Sequence, residues 1–347
     1  MKKKLVVVLM LTLLLVTACD RSEKAEEKKN NDTKTVESSK INTEETQVEK
    51  ETAEEKNKQE ENKQAEDKQD ELADCYLEFL SGENQLFFYN NSSENDYDSV
   101  NDYFESGKGY TLSEITNVLK TGYNLEKDPV VKYAEMDCGN DGEKEIALLF
   151  EGMNIYSPDD SSTVVFIIKE IDGKLKSCYS YETWARSGSV MNYYGYYTSY
   201  GSNGASNHGS SNGYVDARGN WNFINYTEEE QNIEQLSWSE ELGKIPKVAD
   251  TKTYDGNIVF YSTNFEEIKS SDDYDNMERF YSFDVLNTEY SNDDLYTTSV
   301  YKDIFDEAGV TVYTPDEIEK KIRKKEEQVG VTEEIKNGAE LQFITLE

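Results

Sequence analysis

The sequence has very little histidine, with His208 the only one among 347 residues. Catalytic triads use histidine as the general base, and zinc sites usually need more than one histidine or a C-x-x-C pair. His208 lies in a run of Gly, Ser and Asn from 201 to 213, which predicts a flexible loop rather than a rigidly held base. Glycoside hydrolysis stays open, because 71 acidic residues offer many candidates for a carboxylate pair.

Basic residues are also scarce relative to acidic ones. Lys and Arg total 36 against 71 Asp and Glu, which gives a net charge of −35. About −31 of this charge falls on residues 73–347. Because phosphate contacts need a positive surface, this balance excludes nucleic acid as the expected partner. Cations are the natural counter-partners of such a surface, and solubility alone also explains much of the charge.

Cysteine is sparse, at four residues. If the thiol of the first of them, Cys19, is covalently modified, three remain, so at most one intramolecular disulfide forms. Cys138 with Cys178 is the predicted pair, since both lie in the same strand-rich region. Reduced, buried thiols are the alternative.

Only one long apolar run occurs, and it lies at the amino terminus. Leu5 to Val16 is apolar apart from Thr12 and follows three lysines at positions 2–4. As a helix it covers only about 18 Å, against roughly 30 Å for the hydrocarbon core of a bilayer. The run is therefore typical of a secretory signal rather than of a membrane span.

The run ends in Val16-Thr17-Ala18-Cys19, which resembles the lipobox of bacterial lipoproteins. The resemblance implies that residues 1–18 are removed and that Cys19 becomes a lipid-carrying amino terminus at the extracytoplasmic face of the cell membrane. Because one acyl chain anchors weakly, stable attachment would need the two or three chains of that family. An ordinary cleaved signal with a chance cysteine is the alternative.

Composition divides the rest of the chain into a stalk and a folded domain. Residues 19–72 are rich in Glu and Lys and contain no aromatic residue, so they are expected to form a disordered stalk. Residues 73–347 are expected to form an acidic extracellular α+β domain, and a subdivision near 230–250 is left open. The predicted fold class is α+β, an antiparallel β meander with a few flanking helices.

Several local signals predict individual elements. Thr111 with Glu114 and Thr314 with Glu317 form capping boxes at helix starts. Asp172-Gly173 predicts a tight hairpin turn. Further elements are predicted as a helix over 74–80, strands at 85–91 and 131–136, buried strands at 146–150 and 163–168, a hairpin at 214–226, and a final strand at 341–346.

One segment has the composition of a cation-binding loop. Asp137-Cys138-Gly139-Asn140-Asp141-Gly142-Glu143-Lys144-Glu145 places oxygen ligands around a glycine turn between two strands. It resembles the calcium loops of FG-GAP and related β-hairpin repeats. The resemblance implies a structural Ca²⁺ held by Asp137, Asp141 and Glu145 with the Glu143 carbonyl, at an affinity of about 10⁻⁴ to 10⁻³ M. Gly139 removes one ligand of the pattern, and a metal-free Asn-Asp-Gly turn explains the same residues.

Tyrosine is abundant, at 25 residues, and clusters between 193 and 200. Alternation in a strand places Tyr194 and Tyr196 on one face, with Tyr193 and Tyr197 offset at Gly195. Exposed tyrosines beside Asn, Ser and Gly make adaptable contact surfaces, although Tyr also fills half-buried sheets. The candidate ligand contacts are Trp184, Tyr194, Tyr196, Tyr197 and Tyr200, together with the loop at 201–213.

These observations predict a cell-surface lipoprotein whose ectodomain binds an extracellular glycan or protein without catalysis. A carboxylate-dependent glycan hydrolase is the second hypothesis, and an envelope scaffold without a ligand is the third. A pocket with two facing carboxyl groups would favour the hydrolase, and an aromatic platform would favour binding.

Overall fold

The chain has an α+β fold built on two sheets that the predicted antiparallel pattern largely explains. The structure, a computed structural model, describes residues 72–89, 100–153, 162–237, 239–254, 257–267 and 276–346. Cys19, the signal segment 1–18 and the stalk up to residue 71 lie outside the described residues, so the predictions made for them are not addressed by it.

The first sheet, sheet A, has seven strands in the order β13-β3-β4-β5-β6-β1-β2. Its core is the meander β3–β6, because each of these strands is antiparallel to the next. Strand β1 pairs in parallel with β6, a departure from the all-antiparallel expectation. The strands are β1 Leu86–Phe87, β2 Gly109–Tyr110, β3 Val130–Met136, β4 Glu145–Glu151, β5 Thr163–Ile171, β6 Lys174–Thr183 and β13 Ile344–Thr345.

The second sheet, sheet B, is a six-stranded antiparallel meander in the order β12-β11-β10-β9-β8-β7. Neighbouring strands β10 and β11 belong to the same sheet, so the subdivision left open near 230–250 falls inside one sheet. The strands are β7 Ser187–Met191, β8 Tyr196–Ser202, β9 Asn207–Val215, β10 Trp221–Glu230, β11 Asn257–Asn264 and β12 Phe280–Leu286.

Helices cover the outer surfaces of both sheets. Helices α1 and α2 pack on one face of sheet A, α3 to α5 pack against β11 and β12, and α6 with α7 covers part of sheet B over β8 to β10. Their bounds are α1 Asp74–Leu80, α2 Leu112–Gly122, α3 Lys244–Ala249, α4 Asn292–Leu295, α5 Val300–Ala308, α6 Pro315–Gln328 and α7 Glu333–Lys336.

The two sheets pack directly on each other through a mixed apolar cluster. Alternate residues of β4 and β5, such as Ala147 and Ile167, face sheet B, where they meet Tyr197 and Val215. Their neighbours in sequence, such as Leu148, face the helices on the other side of sheet A. Because β4 and β5 are buried on both faces, their sequences are continuous apolar runs, as predicted.

Most local predictions are confirmed. Both capping boxes form, and Asp172 and Gly173 have the positive φ angles of a tight hairpin turn. Two predicted strands are much shorter in the structure. Within the described residues, the 85–91 segment forms strand only at Leu86–Phe87 and the 341–346 segment only at Ile344–Thr345, because each pairs with its neighbouring strands over two residues.

The predicted flexible loop at 201–213 is wrong. Strand β8 continues to Ser202 and β9 begins at Asn207, so only residues 203–206 form the turn. Glycine and serine are tolerated in these strands because aromatic rings from neighbouring strands cover them. A Cβ on Gly213 would lie 1.8 Å from the Trp221 ring, and one on Gly209 would lie 2.6 Å from the Tyr226 hydroxyl. These glycines mark close ring packing rather than flexibility.

Gly139 should be essential at the junction between the sheets. Its φ is +89°, and an added Cβ would lie 2.6 Å from the backbone nitrogen of Ala217 on the β9–β10 turn. We expect Gly139→Ala to lower the free energy of unfolding by about 2–5 kcal/mol, through backbone strain plus overpacking. Urea denaturation of the purified full chain measures this loss.

Gly152→Ala is the matched control, since Gly152 has φ +85° and nothing within 4 Å of an added Cβ. It should cost only the backbone term, about 1–2 kcal/mol. Equal losses in the two variants would show that the close approach at Gly139 is not energetically important.

Candidate functional site

Two places in the fold bring together chemically capable side chains. The first is the β3–β4 hairpin, which contains the predicted calcium loop. The second is an open groove on sheet B, on the opposite face from sheet A.

The carboxylates of the β3–β4 hairpin bind groups of the protein itself. The Asp137 carboxylate accepts hydrogen bonds from the backbone N–H groups of Asp141, at 2.9 Å, and Gly142, at 3.2 Å. Asp141 Oδ1 accepts the N–H of Glu143 at 2.9 Å. These are the bonds of an Asx-type turn, which forms without a metal.

Glu145 is fully buried and is paired with a lysine. Its Oε2 accepts the backbone N–H of Cys138 at 2.7 Å, and its Oε1 is ion-paired with Lys169 on β5. The Lys169 ammonium also lies 3.3 Å from Glu143 Oε2. The lysine therefore provides the positive charge that a bound cation would otherwise provide between these carboxylates.

The predicted calcium ligands are thus brought together, but as a hydrogen-bonded turn with an internal cation. Among the described residues, no cluster of three or more His, Cys, Asp or Glu side chains is arranged to hold a metal ion. The geometry favours the metal-free turn that the sequence left open, and calcium binding stays a prediction.

Burial perturbs the titrating groups around this pair. Desolvation raises the pKa of Glu145 to about 7, although the bond from Lys169 opposes the rise. The Glu145 carboxylate, in turn, raises the pKa of Lys169 despite its own desolvation. Desolvation also raises the pKa of Cys138 well above its usual value and that of Cys178 to about 11.

The cysteines predicted to form a disulfide lie against one apolar cluster. Cys138 is buried in the cluster between the sheets, and Cys178 packs against the same cluster. Both are free thiols in the structure, as is Cys75. The raised thiol pKa values make both poor nucleophiles, which fits the alternative of reduced, buried cysteines.

The predicted tyrosine cluster does not form one surface. Tyr194 and Tyr196 face helices α6 and α7, while Tyr193 and Tyr197 face the junction between the sheets. Tyr196 and Tyr197 are both 7% exposed. The alternation is as predicted, but packing on both faces of β8 makes Tyr196 and Tyr197 core residues, which corrects their assignment as ligand contacts.

Tyr200 is the exception among these candidates, at 64% exposure. It lies near the end of β8 beyond the cover of α6, opposite Gly188 on β7. A Cβ on Gly188 would lie 2.4 Å from Cζ of Tyr200, so the ring rests directly on the glycine backbone. Trp184 instead forms a bridge with Ser187 at the turn before β7, and neither it nor Tyr194 reaches this surface.

Tyr200 lines a groove of about 380 Å³ that crosses the strands of sheet B. Its lining consists of two cross-strand rows on one face and the glycines between them. The residues are Arg186, Tyr200, Gly201, Ser202, His208, Gly209, Ser210, Thr227, Glu229 and Tyr261.

Strand register explains how distant parts of the chain meet here. Ser202 lies opposite His208, His208 opposite Glu229, and Glu229 opposite Tyr261. With strands about 4.8 Å apart, the row from β7 to β11 extends for roughly 19 Å. Arg186 begins this row, because its carbonyl accepts the N–H of Ser202 at 3.0 Å.

Polar side chains in the groove differ in their hydrogen bonding from those on the rest of this face of sheet B. In the next row, Thr198 donates to Asn212 at 3.2 Å, and Asn212 donates to Asn225 at 3.0 Å. No such side-chain bond is made by His208 or Ser210 to any described residue. The groove therefore presents hydrogen-bonding groups that the fold itself does not use.

The groove also carries charges of both signs. Glu229 accepts a hydrogen bond from Gln231 at 2.7 Å and is the one carboxylate among the described lining residues. Desolvation is the largest cause that raises the pKa of Tyr261, and the negative charges of Glu229 and Asp284 raise it further. The Tyr261 phenol thus stays protonated and available as a donor at neutral pH.

Sequence reasoning identified Tyr200 and part of this surface but missed Arg186, Glu229 and Tyr261. These three lie on different strands and share no local motif. The alternation of polar and aromatic residues along β10 and β11 was the one available signal, and it does not specify which strands are neighbours.

Comparisons with known proteins identify no relative. No protein-family model, curated protein or solved structure matches the chain. A search of the described residues for helices long and apolar enough to cross a membrane also found none.

Removing the lysine of the buried Glu145–Lys169 pair should make stability depend more strongly on pH. In Lys169→Met, the pKa of Glu145 should rise further above its usual value of 4.5, because the opposing charge is gone. The folded state then binds this proton more tightly than the unfolded state, so stability falls as pH rises above about 4.5. We expect a small loss near pH 5 and a loss of about 3–5 kcal/mol near pH 8.

Urea denaturation at the two pH values measures this effect, with Glu145→Gln/Lys169→Met as the control without either charge. Equal losses at both pH values in Lys169→Met would contradict a buried carboxylate.

Thermal melting of the wild type and of Asp141→Ala with and without millimolar calcium tests the calcium prediction. A calcium loop would melt higher with the ion, and Asp141→Ala would lose that gain.

Proposed function

We propose that this chain is a lipid-anchored lipoprotein of the extracytoplasmic membrane face, and that its sheet B groove binds a glycan without catalysis. The observation that carries the binding proposal is the Tyr200 ring, which is held on Gly188 and exposed beside unused polar groups. The lipobox at Val16–Cys19 supports the location.

An aromatic ring that is held in place and open to solvent suits a sugar. The C–H groups of one pyranose face carry partial positive charge and pack against the negative face of the ring. The hydroxyl groups around the sugar then need donors and acceptors nearby. Ser210 and His208, on the strand beside Tyr200, supply both.

The volume and shape of the groove support a binding role. Its volume of about 380 Å³ lies within the range of small-molecule sites. Tyr200 and Tyr261 lie on β8 and β11, three strand spacings across and two residues along the strand from each other, or about 16 Å apart. Serine, threonine and glycine between them leave a low floor, which would accommodate more than one sugar unit.

The second hypothesis, a glycan hydrolase, receives less support from this groove. Hydrolysis of a glycosidic bond needs two carboxyl groups about 5–10 Å apart. Among the described lining residues, Glu229 is the one carboxylate. An aromatic platform with a single carboxylate favours binding over hydrolysis. A scaffold without a ligand would leave the unused polar groups unexplained.

Replacing the Tyr200 ring should remove most glycan affinity. In Tyr200→Ala, we expect binding to fall by about tenfold or more, because the stacking surface is lost. The full chain, purified in detergent, is screened on an array of oligosaccharides, and the hits are measured by titration calorimetry.

Tyr89→Ala is the matched control, since Tyr89 is 44% exposed and packs with Lys176 on sheet A. It should bind as the wild type does. Absence of binding to every arrayed oligosaccharide, or equal affinity in Tyr200→Ala, would refute the proposed site.

Lipid attachment at Cys19 is tested separately. In bacterial cells grown with radiolabelled palmitate, the wild type and Cys75→Ser should carry label, and Cys19→Ser should carry none. Cys75 is a suitable control because it lies within the folded domain, in α1. Label retained in Cys19→Ser would contradict the lipoprotein assignment.

A further inference from the structure

The cationic end of the groove suggests which glycans it selects. Arg186 stands at the β7 end of the cross-strand row, next to the platform formed by Tyr200. Arginine is scarce in this acidic domain, with four among residues 73–347, and one of them lines the polar groove. Its contacts show whether it stabilises the fold or is available to bind a ligand.

Arg186 is oriented by one neutral contact. Its Nη2 donates to Ser202 Oγ at 3.0 Å, and Ser202 Oγ in turn donates to the carbonyl of Gly204 at 2.6 Å. Among the described residues, no carboxylate forms an ion pair with this guanidinium. A guanidinium has five N–H donors, so most remain directed at solvent or at a ligand.

The distance to the platform fits one sugar unit with an acidic substituent. Arg186 lies two residues before Gly188, on which the Tyr200 ring rests, so the two are about 7 Å apart along β7. A pyranose ring stacked on Tyr200 would bring a carboxylate on its edge towards the guanidinium. The planar fork of arginine binds carboxylate by two parallel hydrogen bonds.

Glu229 makes the two ends of the groove differ in charge. It lies in the same row as Arg186 but three strand spacings away, on β10. A carboxylate is repelled at that end and attracted at the β7 end, which fixes the orientation of an acidic glycan. The acidic surface as a whole disfavours polyanions, so a short glycan with one or few carboxylates is the better match.

We propose that Arg186 is the specificity-determining residue of the groove and that it selects an acidic sugar stacked on Tyr200. This inference rests on the proposed glycan-binding function. A peptide with a free carboxyl terminus has the same anionic group but lacks the flat C–H face that the platform suits. It enters the test as a competing outcome.

Matched acidic and neutral glycans test the selectivity. The probes are sialyllactose against lactose, and digalacturonic acid against its methyl ester, each titrated into the full chain in detergent. We expect at least one acid to bind about tenfold or more tightly than its neutral partner. Arg186→Gln should abolish that preference, and Glu229→Gln should leave or increase it.

Arg218→Gln is the control, because Arg218 is an exposed arginine on the β9–β10 turn, outside the groove. It should keep the acid preference. Equal binding of acidic and neutral partners, or a preference that survives in Arg186→Gln, would overturn the inference and leave glycan binding intact. Failure to bind any glycan, or binding only of a peptide carboxyl terminus, would overturn the glycan-binding proposal as well.

Discussion

The close packing of sheet A on sheet B is the constraint on which the rest of the structure depends. Sheets pack through interdigitating side chains, but here two turns also approach at the backbone level. Gly139 meets Ala217, and Gly219 lies against Cys178. Backbone hydrogen bonds from Asp137 and Gly139 to the carbonyls of Tyr193 and Tyr194 complete the junction. A Cβ at Gly139 would lie 2.6 Å from the Ala217 backbone nitrogen, so the two turns could not keep this approach without a shift of the backbone.

The junction also fixes the carboxyl-terminal part of the chain. Asn192, in the turn between β7 and β8, donates to the carbonyls of Ile335 and Lys336 and accepts the N–H groups of Tyr194 and Tyr196. Its buried amide therefore connects the sheet to helix α7. The Tyr196 hydroxyl adds a bond to Glu326 on α6 at 2.8 Å. As a result, the helices cover one half of the sheet B face and leave the other half as the groove.

The charged groups at the junction between the sheets differ in their environment from those in the groove. At the junction, Glu145 is paired with Lys169 and Asp137 accepts backbone N–H groups, because a buried charge without such partners would carry a large desolvation cost. At the groove, Arg186 and Glu229 lie apart at different strands and are open to a ligand. A buried pair constrains the structure, whereas separated charges on an open face can select what binds.

The sequence alone determined the local structure, because its signals are short-range. Capping residues act over three positions, Asp172-Gly173 sets its own turn, and continuous apolar runs mark strands that are buried on both faces. The α+β class and the direction of alternating tyrosines follow from the same signals. The resemblance of Val16–Cys19 to a lipobox is likewise local, and the lipid anchor that it implies stays a prediction.

Tertiary structure alone decided which side chains share a surface. Strand neighbours come from pairing across long separations, so nothing local indicates that Arg186, Tyr200 and Tyr261 line one groove. Packing made Tyr196 and Tyr197 core residues while leaving Tyr200 exposed, although all three belong to one short tyrosine-rich strand. The Gly and Ser run became strand because rings from its neighbours cover it. Those rings belong to the neighbouring strands, so the composition of the Gly and Ser run could not predict that they would cover it.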